Sequence, residues 1–202
     1  MKAILVNYNY IPDWLKDYDF DYLIFDRSDD GIERPEMRKT KNVGNADYDK
    51  LGWLIEHYDN LPEVFLWGKT NLFKYITKEE FDKVKDNKTF TPLLTQNHKT
   101  YSDRLGAVCY YADEMYYERN DNWYVQQFTH KFKTLNEFAR YLCLPPLGAY
   151  VPFAPGGNYI LTAERVHRYG KDFYIAMRSA LEHSVLPAEA HFCERLYFTL
   201  WS

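Results

Sequence analysis

Residues 45–68 read NADYDKLGWLIEHYDNLPEVFLWG and place a helical pattern directly before a short apolar run. Apolar residues from Leu51 to Tyr58 recur at the spacing of an amphipathic helix over 45–60, and Pro62 follows its end. The run VFLW at 64–67 is rich in strand-forming residues and predicts a buried strand. A helix that leads into a buried strand is the repeating unit of an α/β fold.

The same alternation extends over most of the chain. Apolar runs predict further strands, and helical spacing predicts further helices. The strands fall at 2–8, 22–25 and 158–161, and the helices at 77–86, 136–142, 172–183 and 188–201, with a short one starting at 162. We therefore expect one α/β domain over residues 1–202, a Rossmann-type sandwich with a mostly parallel central sheet.

Three segments fit the alternation less well. Residues 32–41 are charged and contain Pro35, so we expect a loop there. Residues 87–130 are rich in Tyr, Asn and Asp with weak periodicity, and we treat them as an insert. Residues 144–157 read LPPLGAYVPFAPGG, and their prolines and glycines predict a fixed, irregular loop that walls a pocket.

Composition excludes several classes of protein. The 25 Lys and Arg against 29 Asp and Glu give a net charge of −4, which disfavours a dedicated duplex or polyphosphate binder. The three cysteines are odd in number and form no CxxC pair, which argues against a disulfide scaffold or a zinc knuckle. No run approaches the ~20 apolar residues of a membrane span. These features predict a soluble, cytoplasmic protein.

The common catalytic motifs are absent from the sequence. It has no Walker A motif, no GxGxxG, no GxSxG and no HExxH. None of its six histidines falls in a tight metal-ligand pair, so no metal-ligating residues are assigned. These absences argue against the commonest classes of ATPase, dinucleotide-binding enzyme, serine hydrolase and zinc protease.

One candidate site is an acidic cluster near the end of the chain. Glu189, His191 and Glu194 follow the break at Pro187. A carboxylate beside a pocket can deprotonate an alcohol when its pKa lies near the working pH. The alternative is a solvated helix face that also carries Arg195.

A second candidate is basic. Arg38, Lys39 and Lys41 precede Asn42 and the glycine at 44, and the predicted helix follows. Helix N-termini attract phosphate through free N–H groups and the helix dipole. A charged loop with an asparagine N-cap explains the pattern equally well.

Three blocks follow one another in the sequence: NVG at 42–44, HYDNLP at 57–62 and VFLWG at 64–68. They resemble a family of GT-A-like glycosyltransferases, and the most specific match is HYDNLP, which is similar to the family's N-Y-D-N-L-P. ERLY at 194–197 resembles the family's closing E-R-x-W helix. Weaker blocks match NYN at 7–9, WL at 14–15, YLIFDR at 22–27, GNYIL at 157–161, RV at 165–166 and FY at 173–174. The resemblance covers residues 1–85 and 155–201.

The resemblance implies a GT-A-like fold that binds a nucleotide-diphospho-sugar over the carboxyl ends of its strands, the usual place in open α/β sheets. The enzymes of this fold usually carry Asp-x-Asp after the strand that corresponds to 64–67, where it holds Mn²⁺ or Mg²⁺. Here LWGKTN at 66–71 has no carboxylate, so the metal cofactor is held elsewhere or is not used. Lys69, Lys41 or Arg38 would then neutralise the leaving diphosphate.

Together these inferences predict a glycosyltransferase with the following residues. Glu194 is the first choice for the carboxylate that activates the acceptor and Glu189 the second. The donor contacts are Asn7, Asp26, Arg27, Arg38, Lys41, Asn42, Gly44 and Lys69. The acceptor contacts are Trp67, Tyr150, Asn158 and His191, in a path between the 145–157 loop and the C-terminal helices.

The acceptor and the class of protein both have alternatives. The hydroxyl acceptor is a glycan precursor or the hydroxymethyl group of a modified DNA base, which an aromatic-rich insert would suit. The rival class is a non-catalytic module that binds carbohydrate or nucleotide on a GT-A-like body. The missing Asp-x-Asp supports it, as do the 19 tyrosines, whose rings combine an apolar body with a polar tip.

Overall fold

The computed structural model describes residues 1–95, 109–121 and 123–202, and it confirms an α/β architecture with a largely parallel sheet. The strands are β1 Lys2–Asn7, β2 Asp21–Asp26, β3 Arg38–Lys39, β4 Val64–Lys69, β5 Thr91–Pro92, β6 Cys109–Ala112, β7 Met115–Arg119, β8 Tyr150–Phe153 and β9 Tyr159–Thr162. The helices are α1 Asn45–Glu56, α2 Lys78–Val84, α3 Leu135–Tyr141, α4 Ala163–Val166, α5 Lys171–Ser179 and α6 Ala188–Trp201.

The central sheet has six strands in the order β3-β2-β1-β4-β9-β5. Strands β1 to β4 are mutually parallel, while β9 runs antiparallel to both of its neighbours. In this register Asn7 lies opposite Asp26 on one side, and Val6 lies opposite Lys69 on the other. The ends of β1, β2 and β4 therefore meet at one edge of the sheet.

Each face of the sheet buries its own apolar cluster. Ile4 and Val6 of β1 point into the larger cluster, which α1, α5 and α6 complete. Ala3 and Leu5 point to the opposite face, where Trp14 of a short 3-10 turn packs with residues of α2. The alternation along β1 is that of a strand covered on both faces, as expected in a parallel sheet.

Two loop predictions are wrong in part. The 32–41 segment contains β3, because Arg38 and Lys39 continue the parallel ladder beside Phe25 and Asp26. The irregular segment at 144–157 contains β8, which pairs with β7. Pro152 is tolerated there because β8 lies at the edge of its sheet.

A small antiparallel sheet, in the order β6-β7-β8, lies against α6. It is built from the later part of the predicted 87–130 insert and from the 144–157 segment. Residues 96–108 and 122 of that insert lie outside the described residues. A buried ion pair joins the sheet to the body: the Nη2 of Arg195 on α6 lies 2.5 Å from the Oε2 of Glu118 on β7.

Cys109, Cys143 and Cys193 are all free thiols. In the described part of the chain, the helices are too short or too polar to cross a bilayer.

Candidate functional site

A cleft of about 520 Å³ opens at the carboxyl ends of the parallel strands. Residues that follow β1, β2 and β4 supply its floor, and the loops before α1 and α6 supply its walls. Its lining consists of Val6, Asn7, Tyr8, Arg27, Asn42, Asn45, Ala46, Lys69, Thr70, Asn71, Lys74, Tyr75, Phe128, Val185, Leu186 and His191. Three of these residues are cations and none is Asp or Glu.

The topology explains why the cleft forms at this place. In the sheet, β2 and β3 lie on one side of β1, and β4 lies on its other side. The chain that follows β1 therefore continues toward β2, whereas the chain that follows β4 continues toward β5 at the opposite edge of the sheet. A crevice opens between β1 and β4, where the two connections diverge. Ligands of open α/β sheets bind in such crevices, outside the carboxyl ends of the strands.

Asn7 is the centre of a buried polar network on the floor. Its Nδ2 donates to the Oδ1 of Asp26 at 3.0 Å, and its Oδ1 accepts from the Oγ1 of Thr70 at 2.7 Å. The Oγ of Ser28 donates to the same Asp26 oxygen. Burial raises the pKa of Asp26, but the hydrogen bonds from Ser28 and Asn7 outweigh it and hold the pKa below its usual value. The network ties three strand ends together.

Arg27 follows β2 and is 4% exposed. Its Nη2 donates to Asn42 Oδ1 at 2.9 Å and to the carbonyl of Val43 at 2.7 Å. Its Nε lies 3.4 Å from a carboxylate oxygen of Asp49 on α1. The sequence predicted both Arg27 and Asn42 as donor contacts, and the structure joins them directly at the cleft wall.

The turn that leads into α1 depends on Gly44, which has φ +66°. A Cβ at this position would lie 2.7 Å from the Cβ of Tyr48 and 2.9 Å from that of Leu181. The amide of Gly44 donates to the carbonyl of Ser184 at 2.7 Å, which fixes the 184–186 wall against α1. Gly44 is buried and does not itself line the cleft.

Gly44→Ala is expected to lower the free energy of unfolding by about 2–4 kcal/mol, from left-handed backbone strain and overpacking. Gly31→Ala is the matched control, because Gly31 has φ +74° but no atom within 4 Å of the added Cβ. It should cost only about 1 kcal/mol. Urea unfolding of both variants measures the difference, and equal losses would show that close packing at Gly44 contributes nothing.

Lys69 ends β4 and points its side chain into the cleft lining at 18% exposure. Its Nζ lies 3.9 Å from Oε2 of Glu194, whose Oε1 accepts from Nη1 of Arg195 at 3.0 Å. Burial lowers the pKa of Lys69, but Tyr75 and Glu194 more than offset this effect, and the pKa lies above its usual value. Lys69 is therefore a cation in the cleft.

His191 lies between two aromatic rings at the cleft wall. Its ring stacks on Phe128 with centroids 4.9 Å apart and on Tyr124 at 5.6 Å. Burial, assisted by the positive charges of Arg195 and Lys69, lowers the pKa of His191 to about 3. The imidazole is neutral near pH 7, and its Nε2 has no hydrogen-bond partner among the described residues.

Glu189, the second choice for a catalytic base, is fully buried outside the cleft lining. One carboxylate oxygen accepts from the amides of Lys131 at 2.6 Å and Phe132 at 3.0 Å. The other lies 3.0 Å from Nε2 of His183. This carboxylate holds the 128–132 and 183–187 segments together, and those segments carry part of the cleft wall.

The structure thus brings together Asn7, Arg27, Asn42, Lys69 and His191 of the predicted contacts. The other donor contacts lie outside the lining: Asp26 lies beside Asn7 on the next strand, Gly44 is buried, and Arg38 and Lys41 are exposed.

The remaining acceptor contacts are dispersed. Trp67 is completely buried beneath α6, with its ring centroid 5.7 Å from that of Trp201. Tyr150 lies on the small sheet, 42% exposed. Asn158 is buried and supports the end of β4, where its Oδ1 accepts from the amide of Lys69 at 2.9 Å.

Several residues of the cleft lining were not predicted from the sequence. Thr70 and Asn71 come shortly after the strand predicted at 64–67 and directly after β4 as observed, so their position alone could have suggested them. Lys74, Tyr75 and Phe128 carry no such signal, because only the tertiary fold brings them to this edge of the sheet.

The residues present do not form a metal site of the Asp-x-Asp kind. Within residues 1–95, 109–121 and 123–202, no group of three His, Cys, Asp or Glu side chains is arranged to hold a metal ion. At the end of β4, where the resemblance would put the carboxylates, the lining residues are Lys69, Thr70 and Asn71.

Comparison with known proteins adds no assignment. No protein-family model, no curated protein and no solved structure matches this chain.

Proposed function

We propose that the protein is a GT-A-like glycosyltransferase that binds a nucleotide-diphospho-sugar in the cleft. One observation carries the proposal: a cleft rich in cations and amides lies at the carboxyl ends of β1 and β4, where the strand order reverses. Open α/β sheets bind nucleotides at this kind of position. Arg27, Lys69 and Lys74 would offset the charge of the diphosphate.

Unpartnered polar atoms in the lining support a ligand of this chemistry. Asn71 Oδ1 and His191 Nε2 are buried without a hydrogen-bond partner among the described residues. A buried polar atom without a partner is costly, and a bound ligand relieves that cost. Asn71 Oδ1 can accept from a sugar hydroxyl, and neutral His191 can donate or accept at Nε2.

In the proposed reaction the acceptor hydroxyl oxygen bonds to the anomeric carbon of the donor sugar. The bond from that carbon to the β-phosphate oxygen breaks, and the nucleoside diphosphate leaves with the bonding electron pair. The hydroxyl proton passes to Glu194. Glu194 is chosen over Glu189 because it adjoins the cleft-lining Lys69, whereas both oxygens of Glu189 are engaged.

The acceptor would reach the donor along the wall formed by Phe128, Val185 and Leu186. This wall is apolar and aromatic, as is common where sugar rings stack. A glycan precursor is the favoured acceptor. The hydroxymethyl group of a DNA base is second, because the net charge of −4 opposes association with a duplex.

The test is release of nucleoside diphosphate from UDP-, GDP- and dTDP-sugars, each with a mixture of saccharide acceptors. The wild type should turn over one nucleotide class. Glu194→Gln should lower that rate by about 10²–10⁴-fold and leave donor affinity within a few-fold. Glu79→Gln, an exposed carboxylate on α2, is the matched control and should behave as wild type. Full activity of Glu194→Gln would remove Glu194 from the role of base.

A non-catalytic binding module is the second candidate, and a specific observation favours it. No carboxylate is among the described lining residues, and Glu194 is 6% exposed and already paired with Arg195. A module of this kind would bind a nucleotide-sugar in the same cleft and release no nucleotide. Binding without turnover over the whole panel would therefore select this candidate.

A further inference from the structure

We infer that the cleft binds phosphate groups with its own cations and without a divalent metal ion, and that Lys69 is the central cation. The inference rests on the proposed function for the identity of the ligand, a diphosphate ester. It adds to the proposed function by naming the cations of the protein that neutralise the negative charge of the ligand.

The backbone fixes where Lys69 emerges. Its amide donates to Oδ1 of the fully buried Asn158, and Val6 lies opposite it in the parallel ladder. Gly68 precedes it, and a Cβ there would lie 2.9 Å from the same Asn158 oxygen. The end of β4 is therefore held closely, and the start of the Lys69 side chain is held with it.

A row of alternating charges holds the side chain. Lys69 is followed by Glu194, Arg195 and Glu118, with N···O separations of 3.9, 3.0 and 2.5 Å. Glu194 is shared with Arg195, which lies closer to it than Lys69 does. The ammonium is thus oriented by Glu194 without being closely paired, and it can still attract an anion in the cleft.

The rest of the lining agrees with direct phosphate binding. Arg27 and Lys74 add two cations, and Asn42 and Asn45 add side-chain amides that can donate to phosphate oxygens. Mg²⁺ and Mn²⁺ in phosphate sites are held by one or two carboxylates together with the phosphates. The described lining has no carboxylate, so the donor set suits the anion and not the metal.

The experiment is calorimetric titration of the 202-residue chain with inorganic pyrophosphate in EDTA, and separately with the preformed Mn²⁺–pyrophosphate complex. Free pyrophosphate should bind in EDTA at least as tightly as its Mn²⁺ complex binds, because the described lining offers cations to the anion and no carboxylate to the metal. Lys69→Met should weaken binding by about 10- to 100-fold, the loss expected for a charged hydrogen bond. Lys69→Arg should recover most of the affinity, and Lys83→Met on the outer face of α2 should leave it unchanged. Thermal melts check that each variant is folded.

Lys74→Met provides an independent variant if Lys69→Met does not fold. Lys74 is an exposed cation of the same lining, and its loss should weaken binding by about two- to fivefold. The inference is overturned if pyrophosphate binds only with Mn²⁺, if it does not bind at all, or if folded Lys69→Met binds like wild type.

The outcome separates this inference from the proposed function. If a nucleotide-sugar is turned over only with Mn²⁺, the inference is wrong and the proposed transferase activity is supported. If pyrophosphate binds in EDTA but no nucleotide-sugar binds, the inference is supported and the proposed function is wrong.

Discussion

Arg195→Met is expected to lower the free energy of unfolding by about 3–5 kcal/mol, because it leaves the buried carboxylate of Glu118 without its cation. Arg195 is completely buried, and its Nε and Nη2 both donate to Glu118. The guanidinium also lies 4.4 Å from the ring centroid of Phe153 on β8. The variant therefore weakens the attachment of the small sheet to α6 at two points.

Two further variants make the result interpretable. Removing Glu118 as well, in Arg195→Met with Glu118→Met, should restore most of the loss, because paired apolar side chains can replace a buried ion pair. Lys16→Met breaks the exposed pair with Asp13 and should change stability by less than about 1 kcal/mol. Urea unfolding gives all three values. A loss in Arg195→Met as small as that in Lys16→Met would contradict this account of the buried pair.

Trp67→Ala is expected to cost about 3–5 kcal/mol of stability, as large-to-small changes of buried aromatic residues do. Trp67 is 0% exposed, and its ring packs edge-on against Tyr197 and Trp201 of α6. The ammonium of Lys50 lies 5.0 Å from the ring centroid and would lose that contact. The change therefore removes two ring contacts between β4 and α6.

Trp67→Phe separates a core role from the acceptor contact that the sequence predicts. Phenylalanine keeps most of the buried area, so this variant should cost clearly less than Trp67→Ala and leave ligand affinity unchanged. Chemical denaturation and donor titration of both variants make the comparison. A fully stable Trp67→Ala that has lost only affinity would favour the acceptor role.

The body of the fold follows from local patterns. The apolar runs at β1, β2 and β4 and the helical spacing of α1 and α6 each stand alone in the sequence, and each element lies within a few residues of its predicted bounds. Predicted α6 matches the structure at both ends. Burial on both faces of a parallel sheet produces such runs without any information from distant residues.

Local sequence patterns do not predict the direction of the later strands or the strands with which they pair. The run at 158–161 predicts a strand, but an apolar run carries no sign of its direction, and β9 is antiparallel. Strand β8 has Pro152 in its centre and is recognisable only once β7 lies beside it. Pairing between residues distant in sequence decides both cases.

Some residues of the candidate site are likewise predictable from local sequence, and others depend on contacts between distant segments. Asn7, Arg27 and Lys69 follow strand ends, and a general rule for α/β sheets places such residues at one edge. Glu189 and Glu194 look equivalent in sequence, five residues apart on one helix. Their surroundings differ because distant segments contact them: the amides of Lys131 and Phe132 engage Glu189, whereas Lys69 of the cleft lies beside Glu194.

The most direct test of the central claim, that this cleft holds a nucleotide-diphospho-sugar, is a thermal-shift screen with UDP-, GDP- and dTDP-sugars, each with EDTA and with Mn²⁺. A ligand that binds only the folded state, at ~100 times its dissociation constant, adds about 2.7 kcal/mol, which for a chain of this size raises the melting temperature by roughly 5–10 °C. The account predicts such a shift for one nucleotide class, equal in EDTA and in Mn²⁺. A well-folded protein whose melting temperature does not move with any donor would contradict it.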